Sequence, residues 1–232
     1  QMERVERVTV AQAATVSGGS PAIFAHFVHM LARPARAYRE GRLVEVPPFS
    51  EREEVRFLDE EEPVPCYTAG HPEPLMLPRA LPGVREVTVR LGRLPRALAE
   101  VYHDLYRLGL LAEEPVQVGE ARLSPAQFTA AYLASPAADR ALGLSRHRLR
   151  SGRVVRVEGT ASGRRVEVTL RHTSGPITAL VAGLSAVQVL QGCVAPGVVG
   201  PEALEPRELL RGVLEEAPRF EMERREVGST LE

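Results

Sequence analysis

Apolar and polar residues alternate with a period of two near the start of the chain, over "VERVTV" (5–10), which is the pattern of a half-buried strand. Beyond Ser20 and Pro21 the period lengthens to 3.6 residues and predicts a helix that Pro34 ends. His26 and His29 fall on the polar side of this helix. Two imidazoles without a carboxylate at helical spacing are interpreted as a polar helix face, so no metal site is predicted. The apolar face consists of Ile23, Phe24, Phe27, Val28, Met30 and Leu31.

The middle of the chain alternates short apolar runs with turn residues, which predicts strands at 42–46, 54–58, 64–68 and 85–91. The acidic run 59–62 is interpreted as a solvated connector. Prolines at 72, 74, 78 and 82 surround a short apolar segment, so we expect residues 70–74 to form a rigid loop that holds His71 and Glu73. Helices are predicted at 95–111 and 125–134, the second with Ser124 as its N-cap.

The last third of the chain carries the clearest β signal, a hairpin of strands 154–158 and 165–171 around a glycine-rich turn. The uncharged segment 177–190 is shorter than the roughly 20 residues that cross a membrane, and its pattern predicts a buried core helix. A helix at 208–216 and a strand at 220–227 follow. Together these elements predict an α+β fold with a mixed, largely antiparallel sheet packed by helices on one face, as a single domain over residues 1–232.

Composition narrows the possible partners and compartments. The 232 residues carry a net charge of −1, so no excess charge attracts nucleic acid or an anionic membrane surface, and neither partner is expected. All basic residues other than histidine are arginine, which excludes lysine chemistry. The two cysteines, Cys66 and Cys193, are interpreted as small buried apolar residues of a reduced, cytoplasmic protein.

Two predicted helices share an unusual start. Ser17, Gly18, Gly19 and Ser20 precede the proline of the first, and Thr173, Ser174 and Gly175 precede the proline of the long uncharged one. Ser-Pro is a common helix start with serine as N-cap. The unpaired N–H groups of a helix N-terminus also bind anions, so capping and ligand binding both remain open here.

Four segments carry a resemblance to a known family through their order and spacing. They are "TVSGGSPA", "YREGRLVEVPPFSEREEVRF", "GHPEPLMLPRALPGVREVTVRLG", and "HTSGPITALVAGLSAVQVLQG" with "PGVVGPEALEP" after it. In this order they resemble the C-terminal, catalytic and substrate-binding domain of the saccharopine dehydrogenase-like family, over residues 8–216.

The resemblance implies an N-terminal Rossmann domain that binds NAD or NADP, followed by this mixed-sheet domain, which completes the substrate site and carries much of a dimer contact. The implied reaction is hydride transfer between the nicotinamide and a carbon–nitrogen bond of an amino acid such as saccharopine or lysine. We therefore expect a homodimer with a small-molecule substrate. The chain is expected to be a fragment, inactive alone, whose Rossmann domain precedes residue 1.

The resemblance also implies that the two helix starts face the interdomain cleft and offer N–H groups and hydroxyls to substrate carboxylates. No catalytic acid or base is carried over from it. The residues expected to bind substrate are Ser17, Gly18, Gly19, Ser20, His71, Arg90, Thr173 and Ser174.

Two other functions are open at this stage. A family member without catalysis could use the domain for dimerisation or for binding a small ligand. A related enoyl reductase acting on acyl groups would favour an apolar cleft, against which Arg90 and Arg93 argue.

Overall fold

The computed structural model of the chain describes residues 4–14, 21–57, 62–143, 153–161, 164–172, 177–217 and 220–227. Within these ranges lie seven helices and eleven strands. The helices are α1 (Pro21–Ala32), α2 (Glu73–Ala80), α3 (Arg96–Arg107), α4 (Pro125–Leu133), α5 (Pro136–Ala141), α6 (Ile177–Leu190) and α7 (Pro206–Glu216). The strands are β1 (Arg7–Ala14), β2 (Ala35–Arg39), β3 (Arg42–Val46), β4 (Glu53–Val55), β5 (Val64–Thr68), β6 (Glu86–Arg93), β7 (Val116–Val118), β8 (Ala121–Leu123), β9 (Arg153–Ala161), β10 (Arg164–His172) and β11 (Phe220–Val227).

A mixed sheet of nine strands has β1 at its centre. β1 pairs in parallel with β6 and antiparallel with β9. The order runs β11-β10-β9-β1-β6-β2-β3, β5 also pairs with β6, and β4 pairs with β5. The remaining pairings of the described strands are antiparallel. The predicted α+β fold with a mixed, largely antiparallel sheet is therefore confirmed.

Helices cover one face of this sheet because the strands alternate as the sequence predicts. Val8 and Val10 of β1 lie in the same buried cluster as Val87 and Val89 of β6. The helical side of that cluster includes Phe24, Val28 and Leu31 of α1, Leu98 and Tyr102 of α3, and Ala126, Ala130 and Leu133 of α4. The alternate residues of β1, Ala11 and Ala13, lie on the opposite face in a smaller cluster with Cys66.

The predicted cap of α4 is confirmed in detail. The Gln127 N–H donates to Ser124 Oγ at 3.1 Å, and Gln127 Oε1 accepts from the Ser124 N–H at 2.9 Å. This reciprocal pair is a capping box, which satisfies two N–H groups that have no partner within the helix.

Helix α6 is where the sequence prediction of a buried core helix is wrong. Its only buried residue is Gln188, and Val187, Val189 and Leu190 are exposed. Cys193, just after α6, is exposed as well, whereas Cys66 is buried as predicted. The pattern of α6 is apolar, but among the described residues no element covers most of its surface.

Several smaller elements also differ from the prediction. β2 was not predicted, since its buried positions Ala35 and Ala37 are poor strand formers. The predicted 70–74 loop ends at Pro72, because a proline in the first helical turn lacks an N–H that would have no partner anyway, so Pro74 is accommodated in α2. The two helix starts at 17–20 and 173–176, and most of the acidic run at 59–62, lie outside the described residues.

Candidate functional site at the carboxyl ends of β1 and β6

The carboxyl ends of β1 and β6 meet at one edge of the sheet because the two strands are parallel. Ala14 pairs with Arg93 of β6 on one side and with Arg153 of β9 on the other. Arg153 pairs in turn with His172, the last residue of β10. The chain therefore leaves this edge after Ala14 and after His172, two strand spacings or about 10 Å apart. The two predicted helix starts follow these two residues in sequence.

His71 lies in the loop between β5 and α2, beside Gln12 near the carboxyl end of β1, and two polar side chains hold its ring. Its Nδ1 bonds Glu73 Oε2, and its Nε2 lies 3.1 Å from Gln12 Nε2. A carboxylate only accepts, so Nδ1 carries the proton and donates it to Glu73. An amide nitrogen only donates, so His71 Nε2 accepts from Gln12. The two contacts direct Nδ1–H at Glu73 and the Nε2 lone pair at the Gln12 amide.

The local sequence explains how these three groups meet. Pro72 separates His71 from Glu73 and limits the backbone between them. Glu73 begins α2, where a carboxylate is favoured by the helix dipole. Gln12 is two residues beyond Val10 and pairs with Leu91, so its side chain projects from the helix-covered face of β1.

Arg93 ends β6 on the same face, two residues beyond Leu91. Its guanidinium carbon lies 3.4 Å from the centroid of the Phe27 ring and 5.4 Å from that of Tyr102. One of its nitrogens donates to the Gly92 carbonyl at 3.2 Å. Such stacking on two rings fixes a positive charge beneath the edge of the sheet.

Arg90, also predicted to bind substrate, lies on the other face of the sheet. It alternates with Val89 and Leu91, so it projects away from the helices. Its guanidinium contacts Glu53 at 3.2 Å and the Glu51 carbonyl at 3.2 Å. It lines a groove of about 680 Å³ together with residues of β2, β3 and the segment that follows β3. The structure therefore does not bring His71 and Arg90 together.

The other six residues predicted to bind substrate, Ser17, Gly18, Gly19, Ser20, Thr173 and Ser174, lie outside the described residues. The sequence analysis did not place Gln12 in the site. The signal was present, because Gln12 is a polar residue on the apolar face of an alternating strand near its carboxyl end. Glu73 was placed on the loop but not paired with His71, since the sequence alone does not show that α2 begins there.

Two other ionisable groups of the packed region have pKa values that their surroundings shift. Burial raises the pKa of the Cys66 thiol to about 12, which leaves it protonated at neutral pH. A hydrogen bond from Arg96 holds the pKa of Glu54 below its ordinary value.

No group of three or more histidine, cysteine, aspartate or glutamate residues within the described ranges could hold a metal ion. None of the described helices is both long enough and apolar enough to span a membrane.

The fold of this chain is similar to that of a solved protein structure. No protein-family model matches the chain, and no curated protein matches it either. Among solved structures, the chain is similar to apo saccharopine dehydrogenase (L-Glu forming) from Saccharomyces cerevisiae, with a TM-score of 0.53 and 11% identity over 97% of this chain and 68% of the yeast chain. At this identity the similarity concerns the fold. The saccharopine dehydrogenase-like fold expected from the four sequence segments is thus confirmed.

Proposed function

We infer that this chain is the substrate-binding half of an NAD(P)-dependent oxidoreductase that acts on a carbon–nitrogen bond of an amino acid, with saccharopine or lysine as the type of substrate. The observation that carries the proposal is that His71, held by Glu73, meets Gln12 near the carboxyl end of β1, a strand parallel to β6, in a chain similar in fold to saccharopine dehydrogenase. In sheets with parallel strands, ligands generally bind at this edge.

The nicotinamide cofactor belongs to the proposed N-terminal Rossmann domain, upstream of residue 1. The present sequence does not fit a dinucleotide site, because it has no G-x-G-x-x-G segment after a strand. When bound by that domain, the nicotinamide would supply or accept the hydride. The residues of this chain would bind and orient the amino acid and handle its protons, in a cytoplasmic enzyme.

A thermal-shift experiment tests the function. The full natural polypeptide containing this chain is heated with NAD, NADP, saccharopine, lysine and other amino acids, singly and in pairs. A ligand held at 100 times its Kd stabilises by about 2.7 kcal/mol, which is a clear shift. We expect one nucleotide and one amino acid to stabilise the protein, followed by NAD(P)H-linked turnover. No shift with any of these compounds would contradict the proposal.

The glycine-rich helix start is tested in the same experiment. Ser20→Ala and Gly19→Ala in the natural polypeptide are expected to weaken substrate binding, since we propose that this segment contacts the substrate. Unchanged substrate affinity with lower thermal stability would identify Ser20 as a helix cap alone.

The proposed homodimer and the alternative function, a non-catalytic dimerisation or ligand-binding domain, are both supported by the exposed surface of α6. Large apolar side chains exposed side by side are typical of interaction surfaces. If a second copy covers α6, Leu190→Asp reduces the mass measured by light scattering from dimer to monomer. Leu108→Asp is a matched control, because Leu108 is also an exposed leucine but lies at the end of α3. Dimerisation without nucleotide or amino-acid binding would favour the alternative function.

A further inference from the structure

Two histidine–glutamate pairs in the described chain share an Nδ1–carboxylate contact but differ in burial and in their other partners. In the first, His71 and Glu73 are three-quarters covered, with side-chain exposures of 25% and 26%. In the second, His29 of α1 lies 2.6 Å from Glu113, and the two side chains are 50% and 39% exposed. Glu113 also accepts two bonds from Arg33, which neutralises its charge. Among the described residues, Glu73 forms an ion pair with His71 alone.

The second nitrogen of each ring makes the contrast sharper. The Nε2 atom of His71 has a defined donor, the Gln12 amide, which projects from the central strand of the sheet. His29 belongs to the polar side of α1, where its Nδ1 bonds Glu113 Oε1. A ring held at Nδ1 by a carboxylate and with its Nε2 lone pair directed at an N–H donor is oriented to take a proton at that nitrogen.

We propose that His71 is the proton-accepting group of the site, that Glu73 is its positioning residue, and that an ammonium group of the substrate replaces the Gln12 amide at His71 Nε2. This assignment rests on the proposed function and narrows it to substrates that present a primary or secondary amine at the edge of the sheet. It assigns proton transfer to this chain and leaves hydride transfer to the domain that binds the cofactor.

The proton balance of the step is simple. An N–H bond of the substrate ammonium breaks, an Nε2–H bond forms on His71, and the electron pair remains on the substrate nitrogen. The positive charge moves to the imidazolium, where the adjacent Glu73 carboxylate stabilises it through the Nδ1–H bond. The neutral amine is the form whose carbon can lose a hydride, so this transfer must precede oxidation. In the reverse direction His71 returns the same proton.

The first test is ¹⁵N NMR of the chain labelled at histidine, with the His71 signals assigned by His71→Asn. We expect the free protein to show His71 protonated at Nδ1 only, and Glu73→Gln to weaken that preference. Saturation with L-saccharopine or L-lysine should change the Nε2 chemical shift, because the lone pair then accepts a hydrogen bond from the substrate ammonium in place of the Gln12 amide. Binding of either compound with an unchanged Nε2 signal would overturn the assignment and leave the proposed function standing. An Nε2–H tautomer in the free protein would overturn it directly.

The second test uses turnover by the full natural polypeptide. His71→Ala is expected to lower kcat by roughly 100-fold to 10,000-fold, the usual contribution of a general base. Added imidazoles should restore part of the rate, and more basic imidazoles should restore more, which a purely structural role would not produce. Glu73→Gln should lower kcat with KM unchanged. His29→Asn and Glu113→Gln, the matched surface pair, should leave both constants unchanged.

The outcomes separate the two proposals. Amino-acid binding and turnover without an effect of His71→Ala would overturn the role of His71 alone. Failure of both L-saccharopine and L-lysine to bind, together with no NAD(P)H-linked turnover, would overturn the proposed function and this assignment with it.

Discussion

The sheet is packed very differently on the two sides of β1. The region of β1, β5 and β6 with α1, α3 and α4 contains most of the fully buried apolar residues of the described chain. After residue 153, the buried apolar residues in the described ranges are Val154, Ala161 and Val213. Yet α6 lies in this second region and has no charged residue. Apolar composition alone thus does not show that a segment is buried in the core of its own chain.

Leucines from the two regions give the largest expected contrast. Leu111 is 2% exposed in the main core, so Leu111→Ala should lower the free energy of unfolding by about 2–5 kcal/mol. Leu190 is 86% exposed, so Leu190→Ala should change it by less than about 0.5 kcal/mol in the monomer. Urea unfolding at low protein concentration measures both. A loss above about 2 kcal/mol for Leu190→Ala would show that α6 packs within its own chain.

Replacing a glycine by alanine should have opposite effects on stability in the two regions. A Cβ added to Gly92 would lie 2.7 Å from Cys66 Sγ and 3.0 Å from Val64 Cγ1, so Gly92→Ala should destabilise by about 1–3 kcal/mol. A Cβ on Gly183 of α6 would meet no atom within 4 Å, so Gly183→Ala should stabilise by up to about 1 kcal/mol. Thermal unfolding measures both. The double variant Gly92→Ala/Cys66→Ala should recover part of the loss, and no recovery would contradict the contact.

The buried cysteine of the first region makes its stability depend on pH. Burial raises the pKa of the Cys66 thiol from 9.0 to about 12. Between these values the unfolded chain has lost a proton that the folded chain retains, so stability falls by about 1.4 kcal/mol per pH unit as the pH rises. Below pH 9 the thiol contributes no such dependence. The free energy of unfolding of the wild type and of Cys66→Ala, measured across pH 8–11, tests this dependence. The wild-type value should fall more steeply with pH.

Thiol labelling gives an independent check of the two cysteines. Cys193 is exposed and should react in the native protein, whereas Cys66 should react only upon unfolding. Rapid labelling of Cys66 under native conditions would contradict the packing of the region around β5.

Helix caps should give the smallest effects. Ser124→Ala removes the capping box of α4 and should cost about 1 kcal/mol. Glu205→Ala, at the start of α7, removes a single 3.2 Å bond to the Arg207 N–H at an exposed position and should cost less. Denaturation midpoints at unchanged m-values measure both. Equal losses of unfolding free energy in the two variants would contradict this expectation. They would show that a cap contributes as much to stability in the second region as in the first.

The sequence was informative wherever a pattern acts locally. The alternation of β1, the hairpin of β9 and β10 and the Ser124 cap follow from side chains within a few residues of one another, and all three were predicted. The pairing of Gln12 with His71 was not, since it depends on how distant strands are ordered in the sheet. For the same reason the opposite orientation of Arg90 became visible only with the register of β6. The burial of α6 was predicted wrongly because an apolar pattern does not show whether other elements pack on the helix.

The central position of β1 also has a consequence for how the chain folds. β1 precedes both of its neighbouring strands in the sequence, since Arg7 pairs with Glu86 of β6 and with Thr160 of β9. At ribosomal speeds the second partner emerges roughly 10 s or more after the first strand. Until β6 has been synthesised, β1 has no neighbouring strand on either edge. Until β9 has been synthesised, one edge remains unpaired. Completion of the sheet around β1 should therefore be a late step in the folding of the nascent chain.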